Sequence, residues 1–197
     1  MRRHITAAVA ALLVGMMSAT AMAQDTTTTA RPDLSVEINQ EQHDKILLLL
    51  SGYEYFPTYD ELVAVTPDAH VALFRIALDD SMKPSHRVRA IDALGLFPED
   101  DALAGFLEEA LTRTDLKPTF TRHYINTALK VYQEQAVSWV APHLNNPDLQ
   151  TQLTVIHSLG LFGGESGAEL LEFHRQFMPR DVLVERTLEN AIDRARR

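Results

Sequence analysis

Two seven-residue stretches of this chain are nearly identical: Ile91–Phe97 reads IDALGLF, and Ile156–Phe162 reads IHSLGLF. The second begins 65 residues after the first. Each belongs to a longer run in which apolar side chains recur every three or four positions, a spacing typical of an amphipathic α-helix. A helix that cannot bury its apolar face alone needs a neighbour, so the repetition indicates that similar helices stack on one another.

Both stretches contain a leucine-glycine pair at the same place, Leu94-Gly95 and Leu159-Gly160. The leucines continue the apolar stripe of their helices, so we assign them to packing. Glycine lowers helix propensity by about 1 kcal/mol relative to alanine. It is favoured where a neighbouring backbone approaches closely or where a helix ends in the left-handed conformation. We therefore predict a structural role for Gly95 and Gly160, in packing or capping.

The same periodicity predicts further helices. The two repeated stretches would lie in helices at 85–97 and 149–162, the second followed by a turn at 163–167. The second helices of these two units are expected at 102–113 and 168–177. A further helix pair between the two units is expected at 119–133 and 136–144. Pro67–Phe74 also resembles Asp100–Leu107 at an offset of 33 residues. Two helices in every 30–35 residues, roughly, are the signature of an α-solenoid.

Residue types that commonly cap helix N-termini precede several of these segments. Thr58, with Glu61 three positions later, has the spacing of a capping box. Thr66, Ser85 and Asn146, each beside a proline, are further N-cap candidates. These signals predict that helices begin at or just after each of the four positions.

One unit of the chain resembles a known repeat. Val88–Leu96 reads VRAIDALGL, and it is followed by Asp101-Ala102 and by LEEAL at Leu107–Leu111. This resembles the HEAT-like repeat of the phycobilisome-lyase type, which runs from Val-Arg to Ala-Leu-Gly, a Gly-Asp turn and a second helix ending Leu-x-x-Ala-Leu. The Gly-Asp turn is replaced by Pro98-Glu99 here and by Gly163-Gly164 in the later unit.

The resemblance covers about two-thirds of the chain that follows residue 23, and it is specific for fold. It implies an all-α protein, a right-handed α-α superhelix of the HEAT-like or armadillo type. About four helix pairs with terminal capping helices would complete it. The enclosing family ranges from bilin lyases and hydroxylases to adaptors without chemistry, so the resemblance leaves the function open.

The N-terminus has the pattern of a secretory signal peptide. A basic start is followed by an apolar run at Ile5–Met17 and by Ala21-Met22-Ala23, so we expect cleavage after residue 23. Residues 24–39 are threonine-rich and are expected to form a flexible leader, with the helical domain at 40–197. The apolar run is shorter than the roughly 20 residues of a membrane span. We therefore predict an exported protein, periplasmic or secreted, with no membrane anchor after cleavage.

Charge argues against nucleic acid as a partner. The chain has 18 Lys and Arg against 27 Asp and Glu, a net charge of −9. Loss of Arg2 and Arg3 with the signal peptide leaves 16 against 27, a net charge of −11. Binding to phosphates requires basic residues that replace counterions. Because the chain has no cysteine, disulfides cannot stabilise it, and its stability must come from an apolar core.

The motifs of the enzymes with this fold are missing from the sequence. Deoxyhypusine hydroxylases hold iron with His-Glu dipeptides, and none of the eight histidines precedes a glutamate. No two histidines are spaced i, i+4 to hold zinc on a helix. Ser166 lacks the glycine two residues later that a serine-hydrolase elbow requires. A glycosylase needs a basic groove, and bilin lyases act on proteins that an exported chain would not meet. We predict no catalytic residue, metal or cofactor.

Binding is the function that remains. Second helices line the concave face of HEAT-like arrays, so the candidate partner-binding residues are those placed on such helices: Arg75, Glu108, Glu109, Trp139 and Arg175. For Trp139, a place in the core is an equally good reading. The tyrosines of 53–59 are better explained as a cover for the first unit.

The expected function is therefore an exported scaffold that binds a protein or peptide and catalyses nothing. A structural or assembly factor of the cell envelope is the alternative, and an uncharacterised lyase-like enzyme is the third possibility.

Overall fold

In the part of the chain that the computed structural model describes, residues 32–52, 54–98, 100–177 and 182–197, every regular element is a helix. The expected signal peptide and the first half of the leader, residues 24–31, lie outside the described residues. The α-helices in chain order are α1 (Gln40–Leu50), α2 (Tyr59–Val65), α3 (Ala69–Leu78), α4 (Pro84–Leu94), α5 (Asp101–Thr112), α6 (Pro118–Tyr132), α7 (Val137–Val140), α8 (Leu149–Phe162), α9 (Gly164–Arg175) and α10 (Val182–Ala195). Two 3-10 helices, Gln133–Ala136 and Ala141–Asn145, flank α7. The all-α prediction is confirmed.

The two repeated stretches end their helices differently. α8 continues through Phe162, as predicted, whereas α4 ends at Leu94 and not at Phe97. Beyond Leu94 the backbone makes i to i−3 bonds, with the Phe97 N–H donating to Leu94 O over 3.0 Å. Pro98 explains the difference, because a proline disfavours helical geometry at the residue before it.

The predicted turn at 163–167 is wrong, because α9 begins at Gly164. Gly163 both ends α8, donating its N–H to Leu159 O over 2.8 Å, and accepts from the Gly167 N–H over 2.8 Å. Gly164 has a φ of +54°, in the left-handed region that glycine adopts without strain. The chain therefore reverses direction at one residue, and the second helix starts four residues earlier than expected.

The helix predicted at 136–144 is also wrong as a continuous element. Gln133, with a φ of +49°, follows the last residue of α6 and begins a series of a 3-10 helix, α7 and a second 3-10 helix that ends at Asn145. Pro142 explains why α7 stops after one turn, since it lacks an N–H and its ring clashes with the carbonyl four residues earlier.

Of the N-cap predictions, only the Thr58–Glu61 capping box is confirmed. The Thr58 N–H donates to Glu61 Oε2 over 2.8 Å, and the Glu61 N–H donates to Thr58 Oγ1 over 3.3 Å. The N-caps of α3, α4 and α8 are Asp68, Lys83 and Asp148, so Thr66, Ser85 and Asn146 were wrong as caps. Thr66 and Asn146 instead accept hydrogen bonds from the N–H groups of Asp68 and Asp148.

The helices pack in a recurring order. Helix α4 contacts α6, α6 contacts α8, and α8 contacts α10. Helix α5 contacts α6, and α9 contacts α8. Their shared core is apolar, and it includes Leu94 and Leu159, which are completely buried. In the described ranges no helix is long and apolar enough to cross a membrane.

The two repeat glycines lie where successive helices meet. A Cβ on Gly160 would lie 2.6 Å from the Cα of Ala191 on α10, closer than real side chains approach. A Cβ on Gly95 would lie 3.3 Å from Thr127 Cγ2 on α6. Neither glycine has a positive φ, so close approach rather than left-handed capping accounts for them.

Contacts between side chains recur at one sequence separation. Hydrogen bonds join Asn126 to Ser158, Glu134 to Ser166, and His143 to Leu111 O, each 32 residues apart. His123 Nδ1 lies 2.8 Å from Asp92 Oδ1, 31 residues away, and Thr127 donates to Ile91 O, 36 residues away. Corresponding parts of successive helix pairs are therefore in contact.

Candidate partner-binding site

Trp139 lines an open cleft, which we call the Trp139 cleft. It has a volume of about 900 Å³ and opens between the end of α5, the start of α6 and residues 138–148. Its walls combine apolar and charged side chains, including Glu108, Leu111, Arg113, Leu116, Pro118, Trp139, Pro142, His143, Pro147 and Asp148. The cleft therefore lies at the joint between one helix pair and the next.

The side chain of Trp139 is held in place by its contact with Tyr132. Its ring meets that of Tyr132 edge to face, with centroids 5.4 Å apart and planes at 60°. Val137 and Val140 on the same short helix are buried in the core. Trp139 itself is only partly buried, so it packs on the core and lines the cleft at once. An aromatic ring held in one orientation loses little conformational entropy when a partner binds.

Most charged groups of the cleft have partners within the protein. Arg113 donates from Nε and Nη2 to the two carboxylate oxygens of Asp115, over 3.0 and 2.8 Å. Those bonds lower the pKa of Asp115 below its usual value. Arg122 donates to Asp148 over 2.9 Å, and His143 Nε2 lies 2.9 Å from Leu111 O. Because the charges of Arg113 and Asp148 are already paired, these side chains shape the walls more than they attract a ligand.

Asp148 also caps α8. Its carboxylate accepts from the Thr151 hydroxyl over 2.6 Å and from the Thr151 N–H over 2.9 Å. The hydroxyl of Thr151, followed by its N–H and by Arg122, lowers the pKa of Asp148. The cap thus holds the cleft wall and the start of α8 together.

Arg75 has an intramolecular role that the sequence did not reveal. Its Nη2 donates to Leu34 O over 2.6 Å and to Val36 O over 2.5 Å. Residues 32–39, which we expected to belong to a flexible leader, are thereby tied to α3. Arg75 is consequently engaged within the protein through its Nη2 atom.

The remaining candidates are dispersed. Glu108 is exposed and lines the Trp139 cleft. Glu109 lines a smaller hollow of about 220 Å³ together with Pro32 and Leu34. Arg175 pairs with α10, its Nη2 lying 2.6 Å from Glu189 Oε1. Of the five candidates, the structure brings only Trp139 and Glu108 to one cleft.

Sequence reasoning missed Arg113, His143 and the prolines of this cleft. Pro118 and Pro147, which stand at or just before the starts of α6 and α8, were a usable signal, because helix starts of successive pairs should lie at the same edge of the stack. Among the described residues, no group of His, Asp or Glu could hold a metal ion.

Comparison with known proteins adds no relative. No protein-family model matches the chain, and a search of curated proteins found no significant match.

Proposed function

We propose that this protein is an exported, non-catalytic scaffold that binds a protein or peptide partner in the Trp139 cleft. Its helix pairs would form a HEAT-like, right-handed superhelix of about four units with terminal caps. The recurrence of contacts at separations of 31–36 residues supports this architecture. Repeat proteins whose units contact only their neighbours present extended concave surfaces, and they use those surfaces for binding.

The observation that carries the proposal is the half-buried Trp139, held by Tyr132 in an open cleft. Tryptophan is enriched among the few residues that provide most of the affinity of an interface. With Arg113 and Asp148 paired inside the protein, Glu108 is the exposed charge left on the wall. The partner that fits is a segment with an apolar side chain for Trp139 and a lysine or arginine for Glu108.

The test is capture of partners from periplasmic extract by the full chain and three variants. We expect Trp139→Ala and Glu108→Lys to lose a partner that the unaltered chain retains, because one removes the aromatic wall and the other reverses the charge. Glu108→Lys does not alter the core. A loss of partner capture at an unchanged melting temperature would therefore show that the partner binds in the cleft. Phe173→Ala, at a 60% exposed aromatic residue on α9, is the matched control. Equal capture by all four proteins would exclude the cleft.

One observation favours the alternative, a structural or assembly factor. Phe173 and Phe177 at the end of α9 and Val182 at the start of α10 are 60%, 64% and 83% exposed. The rings of Phe173 and Phe177 lie 5.4 Å apart, and exposed apolar residues grouped in this way commonly mark a contact between proteins. If Phe173→Ala, and neither cleft variant, loses the captured partner, the binding site lies at this end of the chain and the alternative is correct.

A further inference from the structure

The first residues that the structure describes lie over a hollow between α3 and α5, which we call the leader hollow. It has a volume of about 220 Å³, and Pro32 and Leu34 line it from the leader. Its other lining residues come from α3, from α6, and from α5 or the residue just after it: Leu78, Tyr124, Phe106, Glu109, Ala110 and Arg113. A segment of the chain that lies outside the helices is therefore seated on the helices as a ligand would be.

Two aromatic rings give the leader hollow an apolar wall. Phe106 meets Phe74 and Tyr124 edge to face, with ring centroids 4.9 and 5.7 Å apart. Phe106 and Tyr124 are both buried. Burial also raises the pKa of Tyr124 to about 12. Because these rings are held by one another, the wall is ready to receive an apolar side chain without rearranging.

Arg75 holds the leader by its backbone. Its Nη2 donates to the carbonyl oxygens of Leu34 and Val36, over 2.6 and 2.5 Å. The Asp33 carboxylate accepts from the Ser35 N–H over 2.9 Å, which stabilises the turn that presents those two carbonyls. Since every residue has a carbonyl, the two bonds from Arg75 would fit any segment that forms the same turn.

The leader is only lightly attached. In the described part of the chain, Arg75 makes both hydrogen bonds that join residues 32–38 to the helices. Of residues 32–39, none is buried, and Leu34 is 38% exposed. A segment with so few buried contacts opens more readily than the core. A tethered segment also competes only at an effective concentration on the order of millimolar, so a tighter external segment can replace it.

We propose that the leader hollow is a second peptide-binding site, which residues 32–36 of the chain itself occupy and from which a partner segment displaces them. The segment that fits forms a turn like that of 33–36, offers two carbonyls to Arg75 and places an apolar side chain where Leu34 lies. The leader thereby acts as a built-in competitor.

The leader hollow is distinct from the Trp139 cleft, with which it shares only Arg113 among the residues that line the two. A partner could use either surface without the other. The experiment therefore measures binding of a defined peptide in place of partner capture, and its failure would leave the proposed function standing.

The probe is a synthetic peptide of residues 32–38 with acetyl and amide ends, added to the full-length protein. In one variant, Pro32→Gly together with Leu34→Gly removes both leader side chains that line the hollow and loosens the turn, while Arg75 is unchanged. We expect the peptide to shift the NMR amide signals of Phe106 and Ala110 saturably in this variant. Binding to the unaltered protein should be at least about tenfold weaker, because its own leader competes.

Further controls show whether the peptide occupies the same site. Arg75→Gln, added to the loosened variant, should weaken binding at least about tenfold, the loss expected for charged hydrogen bonds. Arg175→Gln in the same background, at an exposed arginine paired with Glu189, should have no effect. A peptide carrying Leu34→Gly should also bind at least about tenfold more weakly, and this comparison decides alone if Arg75→Gln fails to fold. No saturable binding to the loosened variant, or equal binding to the unaltered protein, would overturn the proposal.

Discussion

At Gly160, α8 and α10 cross without room for a side chain. A Cβ there would lie 2.6 Å from the Cα and 2.7 Å from the Cβ of Ala191. Gly95 holds the matching position of the other repeated stretch, yet its nearest neighbours would be 3.2–3.3 Å from a Cβ. The same residue type at equivalent positions thus meets different constraints. At Gly160 the neighbouring helix approaches with its backbone, whereas at Gly95 it approaches with the side chains of Thr127 and Val131, which can move.

Alanine at these two positions should therefore have different effects on stability. Gly160→Ala forces α8 and α10 apart, and overpacking of this kind costs about 1–3 kcal/mol, more than the gain of about 1 kcal/mol in helix propensity. Gly95 lies just beyond the end of α4 with a negative φ, so alanine there gains about 0.4–1 kcal/mol by restricting the unfolded chain. The small displacement of Thr127 and Val131 should nearly cancel that gain. Urea denaturation of both variants measures the free energy of unfolding. Equal losses, or a harmless Gly160→Ala, would contradict the packing at this crossing.

At the scale of elements, the sequence predicts helices where a periodic apolar face and a local stop signal agree. α8 was placed correctly because its stripe is continuous from Leu149 to Phe162. The end of α4 was missed although Pro98 was visible, because the apolar pattern runs on to Phe97. α7 was overestimated in length since its composition suits a helix while Pro142 interrupts it.

The candidate site was less predictable than the helices. Second-helix placement brought Trp139 and Glu108 together, but it could not show that Arg175 faces α10. The role of Arg75 was invisible in the sequence, since it depends on two backbone carbonyls about 40 residues away. Contacts between residues this far apart in sequence form only when the chain folds, and no local sequence pattern predicts them.

The start of α8 should respond to acid through Asp148. Its pKa is lowered from 3.8 in the folded protein, so its carboxylate stabilises the fold in the charged form. That stabilisation is complete above the unfolded value of 3.8 and is lost as the pH falls through the lower folded value.

Asp148→Asn removes the charge and retains an oxygen that can cap the helix. We expect the variant to melt at a lower temperature than the unaltered protein at pH 6, with a difference that shrinks below pH 3.8. Asp193→Asn, at an exposed position on α10, is the control and should show no such trend. A constant difference between pH 2.5 and 6 would mean that the charge of Asp148 does not stabilise the fold.

At the scale of the whole molecule, the helices pack in a series from α4 to α10. Helix α4 contacts α6, and α6 contacts α8. Helix α10 ends the described series and covers α8 and α9 with Val184, Leu188, Ala191 and Ile192. In a stack of this kind the free energy of unfolding is a sum of terms from units and from interfaces between neighbours. In a closed bundle, by contrast, every helix depends on one shared core.

Hydrogen exchange on a chain that ends at Phe177, and so lacks α10, tests this claim most directly. We expect the amides of α8 and α9 to lose most of their protection, those of α6 to lose part of it, and those of α3 and α4 to retain nearly all of it. The gradient follows because α10 packs extensively on α8 and α9, whereas in the described part of the chain it makes no comparable contact with α3 or α4. Equal loss of protection in every helix would show that the protein is one cooperative bundle and would contradict the stacked architecture.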